Sequence, residues 1–361
     1  MNNPKVSTNK NDLKTRLKKG LLIVWSLLYK RRYLFRSIGV ALGTLMLSIL
    51  MLFFMLRLIP GSSVDLFART LVSQRNIPFE DARILAIQIL GYDPDQPAFV
   101  QFWNYLVKLF HGNLGQSLND PNLSVNSVIP KFLPWTLFLS AVSLFISFFI
   151  GMFMGSKLAY QRNALKNSFR TAYIVISGAF PDFIFGLLML IIFATKLKWF
   201  PTGQAYNPSY STPGFNLKFF WDVLYHGFLP IATYVFISSS GWALSVKGSC
   251  VTVMGDDYIY AARARGIPDS LIQKRYLRKN AMLPLITSLA ISFAATFGGS
   301  PLIENIFNYP GLGQLLANYI AAREYFMIVG ILFFTSAIII LANMITDMLY
   351  SVIDPRIRRG T

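Results

Sequence analysis

Long apolar runs separated by short polar segments dominate the chain. Six runs reach the roughly 20 mainly apolar residues that a membrane-spanning helix needs: 37–59, 132–156, 172–195, 224–246, 281–306 and 325–350. The run Gly20–Tyr29 is too short to span, and with Lys18, Lys19, Lys30, Arg31 and Arg32 around it, it suits a helix lying in the interface. No cleavable leader is expected, because the first long run has full spanning length and lacks a small-residue cleavage site. The pattern predicts an all-α polytopic membrane protein: a basic N-terminal segment 1–36, a six-helix transmembrane domain 37–350 and a short tail 351–361.

Composition agrees. Hydrophobic residues make up 54% of the 361 and charged residues only 14%, where soluble domains carry about 25%. The net charge of +18 is distributed unevenly. Segments 1–36, 157–171, 247–280 and 351–361 hold 24 Lys and Arg, whereas 60–131, 196–223 and 307–324 hold 9. Basic residues collect on the cytoplasmic side of membrane proteins, so both termini are expected there. The excess charge is therefore read as a topological signal and a partner for anionic lipid, not as a nucleic-acid surface.

The outer segment 60–131 carries its own pattern. Pro78 followed by Glu80 and Asp81 marks a helix start. After Pro97, the residues Phe99, Phe102, Trp103, Leu106, Leu109 and Phe110 recur at helical spacing and stop before Gly112, a stripe expected to pack against the bundle. The segment 196–223, rich in Pro, Gly, Ser and Tyr around 201–215, reads as an external loop.

On the basic side, the loop 247–280 is the most informative stretch. Asp256 and Asp257 open a run of good helix formers, Tyr258 to Arg265, and Gly266 is a natural stop. Pro268 and Asp269 suit the start of a second helix. Ala261, Ala262, Ala264 and Gly266 leave little side-chain bulk, permitting close approach by a partner's backbone. Arg263, Arg265, Lys274 and Arg275 suit an acidic rim.

This loop resembles the coupling segment of binding-protein-dependent ABC importer permeases, a Glu-Ala-Ala…Gly motif that docks on an ATP-hydrolysing subunit. Tyr260 stands in place of the family's Glu, while Ala261, Ala262 and Gly266 match. Asp257, Tyr258, Ala262, Arg263, Ala264 and Gly266 fit the D-Y-x-x-x-A-R-A-x-G form typical of the dipeptide, oligopeptide and nickel branch. Further resemblances run in order along the chain: Arg57-Leu58-Ile59-Pro60-Gly61, Gly112-Asn113-Leu114-Gly115-Gln116-Ser117 and Glu304-Asn305-Ile306-Phe307-Asn308-Tyr309-Pro310-Gly311-Leu312-Gly313. The tail Asp347 to Tyr350, followed by Asp354-Pro355-Arg356-Ile357-Arg358, completes them. The chain is thus similar to the B-type permease subunits of that branch. The departures are Ser62-Ser63 in place of Asp-Pro, Asp182 where Ser is commoner, and the long basic N-terminus; they leave the cargo open.

The resemblance implies a type I ABC importer permease with six transmembrane helices in a bacterial cytoplasmic membrane, working by alternating access. Its expected partners are a second homologous permease subunit, two ABC ATPases, an extracellular solute-binding protein and a peptide substrate. It implies no cofactor on this chain, with ATP and Mg on the ATPase subunits. Nickel or haem is the alternative cargo.

Charges inside spans are costly and face a cavity or a partner. Asp182 and Glu304, with Phe307, Pro310 and Gly311, are candidates for the translocation pathway or its outer gate. The alternative is pairing with neighbouring helices, preferred for Arg57 and Asp347; Asp182 stays open, and Glu304 is assigned a gate-supporting role. Pro181 and Pro230 interrupt spans three and four and are candidates for kinks around a pore. Two distant histidines, His111 and His226, a single cysteine, Cys250, and the absence of G-x-x-x-x-G-K-[ST] offer no catalytic or metal constellation. An intramembrane enzyme is therefore remote. An ion-coupled carrier would show repeated halves, and none is visible.

Overall fold

The computed structural model describes residues 35–55, 63–90, 93–117, 120, 122–160 and 164–353. The run 20–29, the segment 57–61 with Arg57, and the tail 354–358 lie outside them, as do the side chains of 63, 90, 283 and 347–353, Asp347 included.

Helix α1 (Phe35–Met55) is followed by three short helices, α2 (Ser63–Arg75), α3 (Phe79–Leu90) and α4 (Ala98–Phe110). Then come α5 (Val125–Tyr160), α6 (Ala164–Ala179), α7 (Asp182–Met189, continued by a π-helical turn Leu190–Lys196) and α8 (Leu217–Met254). The chain closes with α9 (Asp257–Ala264), a short helix α10 (Asp269–Leu271) running through a π-helical turn into α11 (Arg278–Ala295), then α12 (Pro301–Ile306), α13 (Leu312–Ala321) and α14 (Tyr325–Ile353). Among the described residues four helices, α1, α5, α8 and α14, are long and apolar enough to cross a membrane, or up to six if each of two bent pairs is one span.

The centre is α5 against α8. They have 36 and 38 residues, so at 1.5 Å per residue each is more than about 50 Å long and projects beyond a hydrocarbon layer of about 30 Å. The two run parallel: Trp135 meets Phe219, Phe148 meets Trp242 edge-on at 5.0 Å, and Gly155 faces Val246. Contact is backbone to backbone, because a Cβ on Gly151 would lie 2.9 Å from the Ala243 nitrogen and 3.0 Å from the Ser239 oxygen. Small residues one turn apart let membrane helices approach so closely that dispersion and weak polar contacts replace the missing hydrophobic drive. Ser239 and Ala243 are buried residues of α8 that face these glycines.

Two expected spans are corrected. The run 172–195 is not one helix: α6 and α7 meet at 100° across Phe180 and Pro181. Proline lacks an amide hydrogen, and it disfavours the helical conformation of the residue before it. The interruption expected at Pro181 is thus present, as a sharp turn between two helices. The run 281–306 also ends early, with a 3-10 turn at Thr296–Gly298 and a fresh start at Ser300–Pro301. The same span bends by 47° beside Pro284. By contrast α8 continues through Pro230, whose ring is buried, so that proline interrupts nothing.

Helices α3 and α4 start where the acids and prolines predict them, α3 with Glu80 and Asp81 in its first turn and α4 directly after Pro97. Arg83 joins them to the rest of the segment, with Nε 3.0 Å from Asp65 and Nη2 2.7 Å from Asp95. The stripe on α4 divides. Phe102, Leu106 and Leu109 pack against Ile49 and Phe53 of α1, but Phe99, Trp103 and Phe110 are 76%, 59% and 78% exposed. The loop before α8 is held by Asp222, which accepts from the Asn207 amide at 2.8 Å and the Ser211 hydroxyl at 2.5 Å. Its other oxygen lies 3.0 Å from His226 Nδ1, so both His226 and Asp222 are satisfied within this corner.

Candidate functional site

A cleft of about 540 Å³ runs along one face of the α5–α8 pair. Ser140, Ser143 and Ser147 line it from α5, Ser238 and Ser245 from α8. Ser288, Ser292 and Thr296 add hydroxyls from α11 and its extension. Within each helix these positions are three, four or seven apart, which sets them on one face. Several hydroxyls donate to their own helix: Ser143 to the Leu139 oxygen at 2.7 Å, Ser245 to Gly241 at 3.0 Å and Ser288 to Pro284 at 3.2 Å. A hydroxyl satisfied in this way can sit on an apolar helix without a cross-helix partner and still present its lone pairs to a guest. Among the described lining residues there is no carboxylate, ammonium, guanidinium or imidazole. The cleft is rich in hydroxyls but uncharged, with Leu144, Trp242 and Ala295 supplying apolar wall between them.

Glu304 lies behind one end of this cleft rather than in it. A Cβ placed on Gly299, a lining residue, would lie 2.8 Å from its Oε1. The carboxylate has no exposure and accepts through Oε2 from the amides of Gly313 at 2.7 Å and Gln314 at 3.2 Å. Thr136 of α5 takes the Leu312 amide at 2.7 Å. The first three amides of α13 thus all find side-chain acceptors, two of them on the Glu304 carboxyl at the positive end of the helix dipole. Gly311 precedes them because any side chain there would strike Glu304 and Thr136. Phe307 is buried among Leu229, Ile231 and Ala194, and Gln314 donates to Asn308. Glu304, Phe307, Pro310 and Gly311 are therefore brought together as one folded knot, and none of them lines the cleft.

Asp182 is not part of that knot. It opens α7, half-buried, with Oδ1 2.8 Å from the Phe183 amide, and no ion pair involves it among the described residues. The helix start satisfies it, and α7 beyond it packs on the middle of α8, Phe185 stacking on Phe236 at 4.2 Å.

At the far end, where α5 and α8 finish, α9 and α10 form a helical hairpin. Gly266 has φ of 72°, with the Gly266 amide donating to Arg263 at 2.9 Å and the Ile267 amide to Ala262 at 3.2 Å. Those two bonds and the left-handed residue make a Schellman cap. Ile259, Ala262 and Ile272 form a small core beneath it, with Ile267 and Tyr276 around them. Asp257, Tyr258, Ala261, Arg263, Ala264, Arg265, Gly266 and Pro268 are exposed, as are Lys274 and Arg275. Ala262 faces inward, so its small size serves the hairpin's own packing and not an incoming backbone. Asn280 donates to the Tyr258 hydroxyl at 3.0 Å, tying the hairpin to α11.

Residues 147–359 match the model of the binding-protein-dependent transport system inner membrane component family. The chain belongs to that family. It is 31% identical over 334 residues to a peptide permease protein of Brucella ovis, covering 91% of this chain and 99% of the relative. It is 30% identical over 326 residues to the glutathione transport system permease protein of Salmonella typhimurium, covering 90% and 98%. A chain of the methionine ABC transporter MetNI, in an inward-facing crystal form, aligns with a TM-score of 0.48 and 18% identity over 63% of this chain and 96% of that one. As a family member the chain is an ABC importer permease, a membrane component of a transport system rather than an enzyme, and such systems also contain an ATPase and a substrate-binding protein.

No charged residue marks the permease's cleft in the sequence. The signal was present as hydroxyls at helical spacing inside three apolar runs, 140/143/147, 238/245 and 288/292/296.

Proposed function

We propose that this permease subunit lines half of a path for short peptides across a bacterial cytoplasmic membrane, with both termini cytoplasmic. One copy pairs with a homologous permease, two ATPase subunits that carry ATP and Mg, and an extracellular solute-binding protein. The carrying observation is the one-sided cleft of uncharged hydroxyls. Peptide amides can exchange water for such hydroxyls without being gripped, which suits passage, since a conducting site must bind weakly enough to release. The names of the Brucella and Salmonella relatives support peptide cargo. A nickel or haem path is the alternative, and the neutral lining offers a cation little. An ion-coupled carrier places ionisable groups at the midplane, which this lining does not favour.

The exposed residues of the hairpin, capped at Gly266, form the surface on which an ATPase docks. Closure of two ATPases then moves the hairpins as levers and switches the paired permeases between inward- and outward-open states. The test is uptake by a deletion strain carrying this permease and its partners, with labelled peptides, nickel and haem in competition. Peptide uptake that neither nickel nor haem reduces is expected; nickel or haem uptake in its place overturns the peptide reading.

A further inference from the structure

A second cavity of about 450 Å³ lies at the opposite end from the hairpin, between α3, α4, the segment 113–116 and the start of α14. Small-molecule sites occupy about 300–1,000 Å³. Its wall is rich in side-chain amides, among them Gln88, Asn104 and Gln116, and it contains one carboxylate, Asp93, and one ammonium, Lys108.

Two buried polar atoms of its lining residues have no protein partner. Gln101 is 3% exposed, and its Nε2 donates to the carbonyls of Pro94 at 3.0 Å and Gln96 at 2.6 Å. Only an NH2 group can satisfy two carbonyls, so this orientation is fixed, and Oε1 is left without a donor. One turn along α4, the Tyr105 hydroxyl is also buried and unpartnered. Buried polar groups are almost always paired, and each exception asks for an explanation. Burial also lowers the Lys108 pKa from its ordinary value, as expected for an ammonium partly removed from water.

We propose that this cavity binds a short zwitterionic peptide on the outer side, before cargo reaches the cleft. A peptide supplies what the wall lacks, an N–H for Gln101 Oε1 and a polar group for the Tyr105 hydroxyl. Its charged ends match Lys108 and Asp93. The proposal rests on peptide being the cargo.

The experiment uses the assembled transporter with Cys250→Ser and a cysteine introduced at the exposed lining residue Asn104. A free tripeptide should slow alkylation of that cysteine in a saturable way, while the same peptide acetylated and amidated at its ends should protect about tenfold more weakly. Tyr105→Phe removes a hydroxyl with no partner in the fold, so it should leave thermal stability unchanged or raised, yet weaken protection several-fold. Gln101→Leu should do the same to protection. Equal protection in all variants, or none in any, overturns the proposal, as does protection by ligand-free solute-binding protein alone. Peptide uptake by the same strain is scored separately: intact uptake without protection removes this site only, and absent uptake removes the peptide reading itself.

Discussion

The α9–α10 hairpin and the Glu304 knot are both built around a glycine break between short helices, and both carry a family motif. They use it in opposite ways. In the hairpin the motif side chains point outward, all but Ala262 among the positions 257, 258, 261–266 and 268, and open space surrounds Gly266. In the knot Glu304 is wholly buried, its Oε2 is committed to two amides, and Gly311 has no room for a methyl group. Matched residues whose partners lie inside the chain stabilise it; those that face outward shape its surface instead. A motif alone does not distinguish the two.

Breaking the knot should have the largest effect. Glu304→Leu leaves the Gly313 and Gln314 amides buried without an acceptor, at about 1–3 kcal/mol each, enough to consume much of a typical domain's stability. Expected is a sharp loss of folded permease, read as protease resistance and membrane abundance. Full abundance with selectively lost transport would instead make Glu304 a pathway residue.

Next comes Gly266→Val. The left-handed conformation costs a β-branched residue about 1–2 kcal/mol, and no neighbour opposes the side chain itself. The permease should therefore insert, while transport-stimulated ATP hydrolysis by the assembled complex falls. Gly266→Asn sharpens the test, because Asn accepts this conformation yet adds bulk. If Asn restores hydrolysis, backbone strain was the fault; if it fails as Val does, the exposed surface is what matters.

A smaller effect is expected in the cleft. Ser292→Asp places a charge on the neutral wall, and peptide uptake should drop several-fold with little change in abundance, since a cavity tolerates a charge that lipid would not. Unaltered uptake would remove this face from the path. The least perturbing test is topological: a cysteine at Glu80 in a Cys250→Ser background should react with an impermeant reagent on intact cells, and one at Leu165 only after permeabilisation. The reverse pattern would invert the orientation.

Much of this molecule was legible in its residues. Four spans could be read from hydropathy because lipid demands a continuous apolar run whatever the neighbours are. The starts of α3 and α4 and the stop at Gly266 were legible because caps and turns depend on local sterics. The break in the third span was legible at Pro181, but its 100° angle was not, since both halves stay apolar. Glu304's partners also escaped, because Gly313 and Gln314 lie across a turn and the neighbouring acceptor Thr136 stands 168 positions away. Tertiary structure alone decided which small residues form the α5–α8 seam and which hydroxyls line a cleft. Serine is compatible with either place, and only the neighbour that arrives across the helix face selects between them.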